Sequence, residues 1–352
     1  MAIIHVGGAG GAPSNNFIKS LRASKRNDYI IGTSCIASDL FLADVDEKYL
    51  IPPASSQQYP EKIIALLNRV KPDFLHVQND YEVRAISRIR EKIERTGVKL
   101  YLPKKETIEN CVDKQKSYSI WKKSGIKVPE TILLNNLSDL EESFNKLGHK
   151  IWIRAIEGGG GRGALPVENF EFAKNWIDHF HGWGSFTASE LLSEKTATWQ
   201  SIWYNGELIV AQSRRRLSWN FGNRTLSGVT GITGVGETFS DPVIDRVAQD
   251  SIYAIDDNPN GIFSVDLTYD TSGFPNPTEI NIGRFFTTHY FFTKAGLNFP
   301  EIYCDIALEE KFPLLHKKIN PLPDGLIWIR GMDTEPVMTT KQELEKLESS
   351  GL

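Results

Sequence analysis

The run Ile151-Trp152-Ile153-Arg154-Ala155-Ile156-Glu157 leads into Gly158-Gly159-Gly160-Gly161-Arg162-Gly163. It predicts a strand that delivers the basic side chain of Arg154, followed by a mobile glycine loop. Glycines let a backbone approach phosphate oxygens and turn N–H groups toward them, and a guanidinium adds charge to the same anion. Four glycines alone would suit a flexible surface hairpin. The strand with its arginine shifts the reading toward phosphate. The spacing is not GxxxxGK[ST], which disfavours a P-loop.

A second constellation lies about a hundred residues on. Asp266 falls on a predicted strand, Gly261–Thr268. After the turn Asp270–Gly273 comes another strand, Pro277–Asn281, with Glu279 and Asn281 two apart. Residues i and i+2 share a face of a strand, so Asp266, Glu279 and Asn281 can converge. Such oxygens suit Mg²⁺, which takes one or two carboxylates and completes its sphere with substrate phosphates. An edge pair with solvated acids is the alternative. A third element, Ser213-Arg214-Arg215-Arg216-Leu217-Ser218-Trp219, follows a strand. Alternation puts Arg214 and Arg216 on one face and Arg215 on the other, so that two guanidiniums can grip an anionic substrate or a transferring phosphoryl group. The alternative is a solvated basic strand end. The glycine-rich stretch 228–237 behind it reads as a mobile loop beside the same cleft.

The elements that must position these groups come in two styles. Over the first hundred residues, strands (Ala2–Val6, Tyr29–Thr33, Phe74–Val77, Val98–Leu102) alternate with helical patterns (from Ser14, Tyr59–Arg69, Tyr81–Arg95), as in a doubly wound parallel sheet. Pro103 ends that series, and a boundary is expected near residue 105. Beyond it come a helical stretch, Glu106–Ser124, strands at Ile126–Leu134, Ile151–Ala155, Phe186–Glu190 and Ala197–Tyr204, and helices at Leu137–Leu147, Phe170–His179 and Ser240–Asp257. Asn205-Gly206 signals a hairpin, and Leu326–Arg330 a last strand. The glycines at 7, 8, 10 and 11 follow the first strand but miss the GxGxxG register of a dinucleotide fingerprint.

Taken in order, Asp113-Lys114, Arg154 with the glycine loop, Glu190-Leu191-Leu192, Asp266, and Glu279-Ile280-Asn281 with Arg284 resemble the ATP-grasp superfamily. The likeness is greatest to the ATP-grasp units in the large subunit of carbamoyl-phosphate synthetase and to single-unit carboxylate–amine ligases, and it covers nearly the whole chain. It implies an α/β amino-terminal domain over 1–105 and a two-lobed ATP-grasp domain over 106–352, with a smaller lobe at about 125–192 closing over ATP. It implies that Lys114, Arg154 and the loop residues Gly158, Gly159, Gly160, Gly161 and Gly163 bind ATP phosphates. Glu190, Leu191 and Leu192 would sit by the adenine, and Glu194 is a candidate for the ribose. Asp266, Glu279 and Asn281 would hold Mg²⁺ or Mn²⁺. Arg284, with Arg214 and Arg216, would act on the acyl phosphate and incoming substrate. The family's Asn-Pro-Arg is here Asn281-Ile282-Gly283-Arg284, one residue longer.

The implied activity is ATP-dependent activation of a carboxylate as an acyl phosphate, followed by transfer to an amine, with ADP and phosphate released. A second reading is phosphorylation of a small carboxylate, carbamate or amide. A third is an inactive subunit that only binds nucleotide. The partners expected are small-molecule carboxylate and amine substrates and a second copy in a homodimer.

Bulk properties agree. The 352 residues suffice for two or three lobes, and 40% hydrophobic with 24% charged residues is ordinary for a globular chain. A net charge of −4 gives no footprint for nucleic acid or a membrane surface. The cysteines Cys35, Cys111 and Cys304 lie far apart, and the histidines, including His76, His179, His181 and His289, form no metal-ligand spacing. His289, just past Arg284, is a candidate substrate contact. No apolar run approaches ~20 residues, and the N-terminus lacks a basic, long-apolar leader pattern, so a cytoplasmic location is expected.

Overall fold

The computed structural model describes residues 1–158, 161, 163–229, 231–308, 312–332, 337–343 and 345. The chain first builds a parallel sheet in the order β3-β2-β1-β4 from β1 (Ile3–Val6), β2 (Tyr29–Ser34), β3 (Glu47–Leu50) and β4 (Phe74–His76). Helices α1 (Ala12–Arg22), α2 (Ala37–Leu42), α3 (Tyr59–Val70), α4 (Asp80–Arg88) and α5 (Arg90–Glu94) connect and cover it. One face packs Ile4, Val6 and Phe74 on Phe17 and Ile18, and the other packs Leu75 and Val77 on Ile63, Leu67 and Val83. Strand order reverses between β1 and β4, and the loops leaving their carboxyl ends meet there, the usual place for a crevice. In the first of these loops the N–H groups of Gly7, Ala9, Gly10 and Gly11 are taken by His76 O, Thr33 O, Asn15 Oδ1 and Gly8 O. That loop is therefore a self-satisfied turn and offers no ring of free amides to an anion.

Two expected helices are broken. Tyr81–Arg95 divides at Ile89, which leaves helical geometry (φ −113°, ψ 17°). Glu106–Ser124 divides into α6 (Lys105–Val112) and α7 (Lys114–Lys123) at Asp113, whose carboxylate accepts from Gln115 N and Lys116 N, both at 3.0 Å. An extended aspartate that caps the next helix stops the previous one. Val98–Leu102 forms only an isolated bridge, Phe74 with Lys99. The strand expected from Ile126 starts at Thr131, after Pro129, which lacks a ladder donor.

The smaller antiparallel sheet runs β5-β8-β6-β7, from β5 (Thr131–Leu134), β6 (Ile151–Ala155), β7 (Leu165–Val167) and β8 (Phe186–Glu190), with α8 (Leu137–Leu147) and α9 (Phe170–His179) on one side. It has its own core, centred on Leu140, Ile153, Ile177 and Ala188. The glycine loop joins β6 to β7.

The large sheet has the order β13-β12-β9-β10-β11-β14-β15. Its strands are β9 (Thr196–Tyr204), β10 (Glu207–Trp219), β11 (Thr233–Thr238), β12 (Gly261–Tyr269), β13 (Pro275–Ile282), β14 (Leu326–Ile329) and β15 (Val337–Thr340). Helix α10 (Pro242–Ile255) packs on one face, and α11 (Tyr290–Lys294) and α12 (Phe299–Ala307) pack elsewhere on the body. Asn205 and Gly206 turn β9 into β10 with φ of 48° and 84°, as a two-residue hairpin requires. The stretch 228–237 corrects an expectation: its second half is strand β11 and not a loop. Gly236 lies beside the Arg214 side chain, where a Cβ would stand 3.0 Å from Arg214 Cδ. Gly236, one of the glycines that suggested a loop, makes room for a neighbouring arginine.

Candidate active site

The large sheet presents one polar face toward the smaller sheet. Register sets its composition. Asp266 stands opposite Glu279 on β13 and Thr198 on β9, and Thr198 stands opposite Arg214 on β10. The side chains then join into one chain of hydrogen bonds. Asn281 Nδ2 donates to Asp266 Oδ2 at 2.9 Å, and Thr198 Oγ1 donates to Asp266 Oδ1 at 2.6 Å. Arg214 NH2 donates to Thr198 Oγ1 at 2.9 Å and its NH1 to Thr233 Oγ1 at 2.8 Å. Arg216 lies alongside, bonded to Thr196 Oγ1 and Thr233 Oγ1. Arg215 points the other way, to Glu237.

Three further cations reach the carboxylates from separate elements. Lys114, the first residue of α7, places Nζ 3.4 Å from Glu279 Oε2 and 2.8 Å from Gly158 O at the mouth of the glycine loop. Arg154 crosses from β6 to donate to Thr278 O at 3.0 Å; burial lowers its pKa, and the Glu279 charge only partly opposes that. Arg284 donates to Asn281 Oδ1 at 2.5 Å and forms a fork with Asp80 of α4. Gly283 adopts φ +69° with Val83 and Leu102 close by, and this turn sends Arg284 back toward Asp80.

Burial shapes the charges. Arg214 is 2% exposed, and desolvation, aided by neighbouring Arg216, pulls its pKa down to about 9 against the opposing Asp266 charge. Desolvation also lowers Arg216. Burial works against charged Arg284 as well, but the Asp80 carboxylate outweighs it and leaves the pKa above the ordinary value. Among the described residues neither Arg214 nor Arg216 has a carboxylate within salt-bridge distance, and Arg214 Nε is buried without a partner. The Arg214 guanidinium, buried, lies 4.7 Å from the Phe286 ring centre, and that of Arg216, half-buried, lies 3.6 Å from the Trp219 ring centre.

The other expected residues are less converged. Glu190 ends β8 exposed, and its carboxylate accepts Glu130 N at 2.9 Å. Leu191 and Leu192 follow it half-buried, and Glu194 is exposed on the way into β9. Gly161 packs on Val229, and Gly163 accepts from Trp176 Nε1 at 3.0 Å. Gly159, Gly160 and Arg162 lie outside the described residues. His289 is fully buried with Nδ1 on Phe286 O, packed among Phe285 and Phe286, so it belongs to the core.

Sequence reading missed one participant, Asp80, 204 residues from Arg284. Arg330 follows β14 beside β11, with its N–H on Gly234 O and NH1 buried without a partner.

The oxygens of Asp266, Glu279 and Asn281 suit a hard divalent cation. Two carboxylates and an amide would leave positions for phosphate oxygens, the sparse set Mg²⁺ accepts; among the described residues no group of three or more His, Cys, Asp or Glu is suited to a metal.

A parallel amino-terminal sheet, a small antiparallel lobe and a larger antiparallel sheet with this cleft between them constitute the ATP-grasp fold. No family model matches the sequence. The chain is 33% identical over 135 residues to a pyruvate carboxylase subunit of Methanothermobacter thermautotrophicus, a match that takes in 36% of this chain and 27% of that protein. Among solved structures, the biotin carboxylase domain of Hydrogenobacter thermophilus 2-oxoglutarate carboxylase, with MgADP and bicarbonate, superposes with a TM-score of 0.72 at 17% identity, covering 94% of this chain and 74% of that one. N5-carboxyaminoimidazole synthetase from Staphylococcus aureus gives 0.72 at 13% identity, covering 99% and 96%. L-amino acid ligase from Bacillus licheniformis gives 0.69 at 14%, covering 98% and 85%. At these identities the structural likeness is one of fold.

Proposed function

We propose that the chain binds Mg²⁺-ATP in this cleft and uses it to activate a carboxylate as an acyl phosphate, which an amine then captures as an amide. The observation that carries this reading is the convergence of Asp266, Glu279 and Asn281 with Lys114, Arg154, Arg214, Arg216 and Arg284 on one sheet face. A carboxylate is a poor electrophile, and phosphorylation supplies a leaving group. Bound Mg²⁺ would neutralise phosphate charge, held by Asp266, Glu279 and Asn281. Lys114 and Arg154 bind the triphosphate, and the loop from Gly158 through Gly163 covers it. Glu190 to Leu192 border the adenine and Glu194 the ribose. Arg214, Arg216 and Arg284 steady the charge that shifts between phosphate and carboxylate oxygens. Excluding water keeps the anhydride for the amine. The division into an amino-terminal domain (1–105) and an ATP-grasp domain (106–352, smaller lobe about 125–192) and assembly as a homodimer belong to the same proposal. The L-amino acid ligase likeness supports amide formation. The bicarbonate bound in the 2-oxoglutarate carboxylase domain favours a second reading, a very small acceptor phosphorylated at the same place.

The test is a panel of carboxylates, bicarbonate included, each with and without amines, with ADP release as the screen. For any pair that responds, a carboxylate labelled with heavy oxygen should pass label to the phosphate released. ADP release without label transfer contradicts acyl phosphate formation. Label transfer without an amide product selects the second reading.

A further inference from the structure

Helix α4 enters the cleft at its first residue. Asn79 caps it, accepting Glu82 N at 2.9 Å, and this fixes the helix start and the direction in which Asp80 leaves it. Asp80 takes both arms of the Arg284 guanidinium: Nε at 2.5 Å on Oδ1 and NH2 at 3.0 Å on Oδ2. That planar two-point grip is the geometry that orients an arginine. The same NH2 already touches Asn281 Oδ1 at 2.5 Å, and Asn281 in turn touches Asp266. The charges of Asp266 and Glu279 both attract Arg284. An untethered guanidinium there would swing onto those oxygens and compete with a divalent cation. One helical turn along α4, Arg84 NH1 holds Glu157 Oε2 at 3.1 Å, next to the start of the glycine loop. One helix thus reaches both the arginine and the phosphate loop.

We propose that Asp80 is a positioning residue, anchoring Arg284 beside Asp266 and Glu279 but not on them, so that their oxygens stay available to a divalent cation. This rests on the Mg²⁺-nucleotide reading above. It assigns Asp80 no contact with substrate.

The test is the Mg²⁺ dependence of binding of a non-hydrolysable ATP analogue, read by calorimetry, with direct Mn²⁺ binding to the nucleotide-free protein read by electron spin resonance. Asp80→Asn should raise the Mg²⁺ midpoint about tenfold and weaken Mn²⁺ binding in step, while affinity at saturating Mg²⁺ changes less than about twofold. Asp80→Ser keeps a residue suited to a helix start and should do the same if the Asn variant folds poorly. Asp80→Glu should recover most of the effect. Adding Arg284→Ala to Asp80→Asn should return the Mg²⁺ and Mn²⁺ midpoints toward wild type, because the competing cation is gone; a merely structural role would not be rescued. Wild-type midpoints in both Asp80→Asn and Asp80→Ser, or a double variant as poor as the single, overturn the proposal alone. A wild type that binds no nucleotide at any Mg²⁺ concentration overturns the nucleotide reading and this proposal with it.

Discussion

Arg214 shows most clearly how the site departs from what stability alone would select. A buried guanidinium held by two threonine hydroxyls, with Nε unpartnered, is a cost to the fold. Arg214→Met should therefore leave stability unchanged or raise it by roughly 1–2 kcal/mol, while nucleotide-dependent turnover falls at least about a hundredfold. Urea unfolding beside a turnover assay checks both, and a loss of stability above about 2 kcal/mol would assign Arg214 to the scaffold. His5 is a second residue-scale case. It is buried with neither ring nitrogen bonded, and desolvation lowers its pKa from 6.5 to about 3. Burial likewise lowers His76 to about 3 and His289 to about 4. The folded state keeps these rings neutral while the unfolded chain protonates them below pH 6.5. Their neutrality carries no penalty above that pH. Stability is then lost by about 1.4 kcal/mol per pH unit for each ring as pH falls from 6.5, toward 3 for His5 and His76 and toward 4 for His289. His5→Leu should flatten the decline between pH 6.5 and 4 in urea titrations, and an unchanged slope would contradict this. Glu82 runs the other way. Burial raises its pKa to about 7, so its cost is present above pH 7 and fades toward pH 4.5. The arginines of β6 and β10 and the acids of β12 and β13 were legible because strand alternation is local. Asp80 was not, because its role depends on a contact made only after the chain has folded.

At the scale of elements, the break between α6 and α7 has a purpose. Asp113 caps α7, and the next residue, Lys114, reaches Gly158 and Glu279. Asp113→Ala should cost about 1 kcal/mol by loss of the cap and weaken nucleotide binding several-fold by loosening Lys114, whereas Asp113→Asn should restore most of both. Thermal melts with nucleotide titrations decide it; a full stability loss with unchanged binding would separate the cap from the site. The continuous helix expected from sequence divides here because Asp113 is extended and caps the next helix, a signal that polarity alone does not carry. Strand β11 was missed for a related reason. Glycine lowers strand propensity, yet Gly236 lies where a neighbouring side chain needs the space. The hairpin at Asn205-Gly206 was legible since its turn chemistry is contained in two residues.

For the whole molecule, the division of labour is between three sheets. The amino-terminal sheet contributes Asp80 through α4, the small sheet contributes Arg154 and the glycine loop, and the large sheet carries the acids and buried arginines. A chain of net charge −4 gathers Lys114, Arg154, Arg214, Arg216 and Arg284 around the carboxylates of Asp80, Asp266 and Glu279, so cations outnumber carboxylates among these residues. Among the described residues no helix is long and apolar enough to cross a membrane. The alternation of strands and helices made the first sheet legible, and ordered motifs made the fold legible. The most direct test of the central claim is calorimetric binding of a non-hydrolysable ATP analogue with and without Mg²⁺, on wild type and on Glu279→Gln. The account predicts Mg²⁺-dependent binding in the wild type and a loss of about tenfold or more in the variant, confined to the Mg²⁺-containing titration. Absence of binding, or binding indifferent to both metal and substitution, would contradict it.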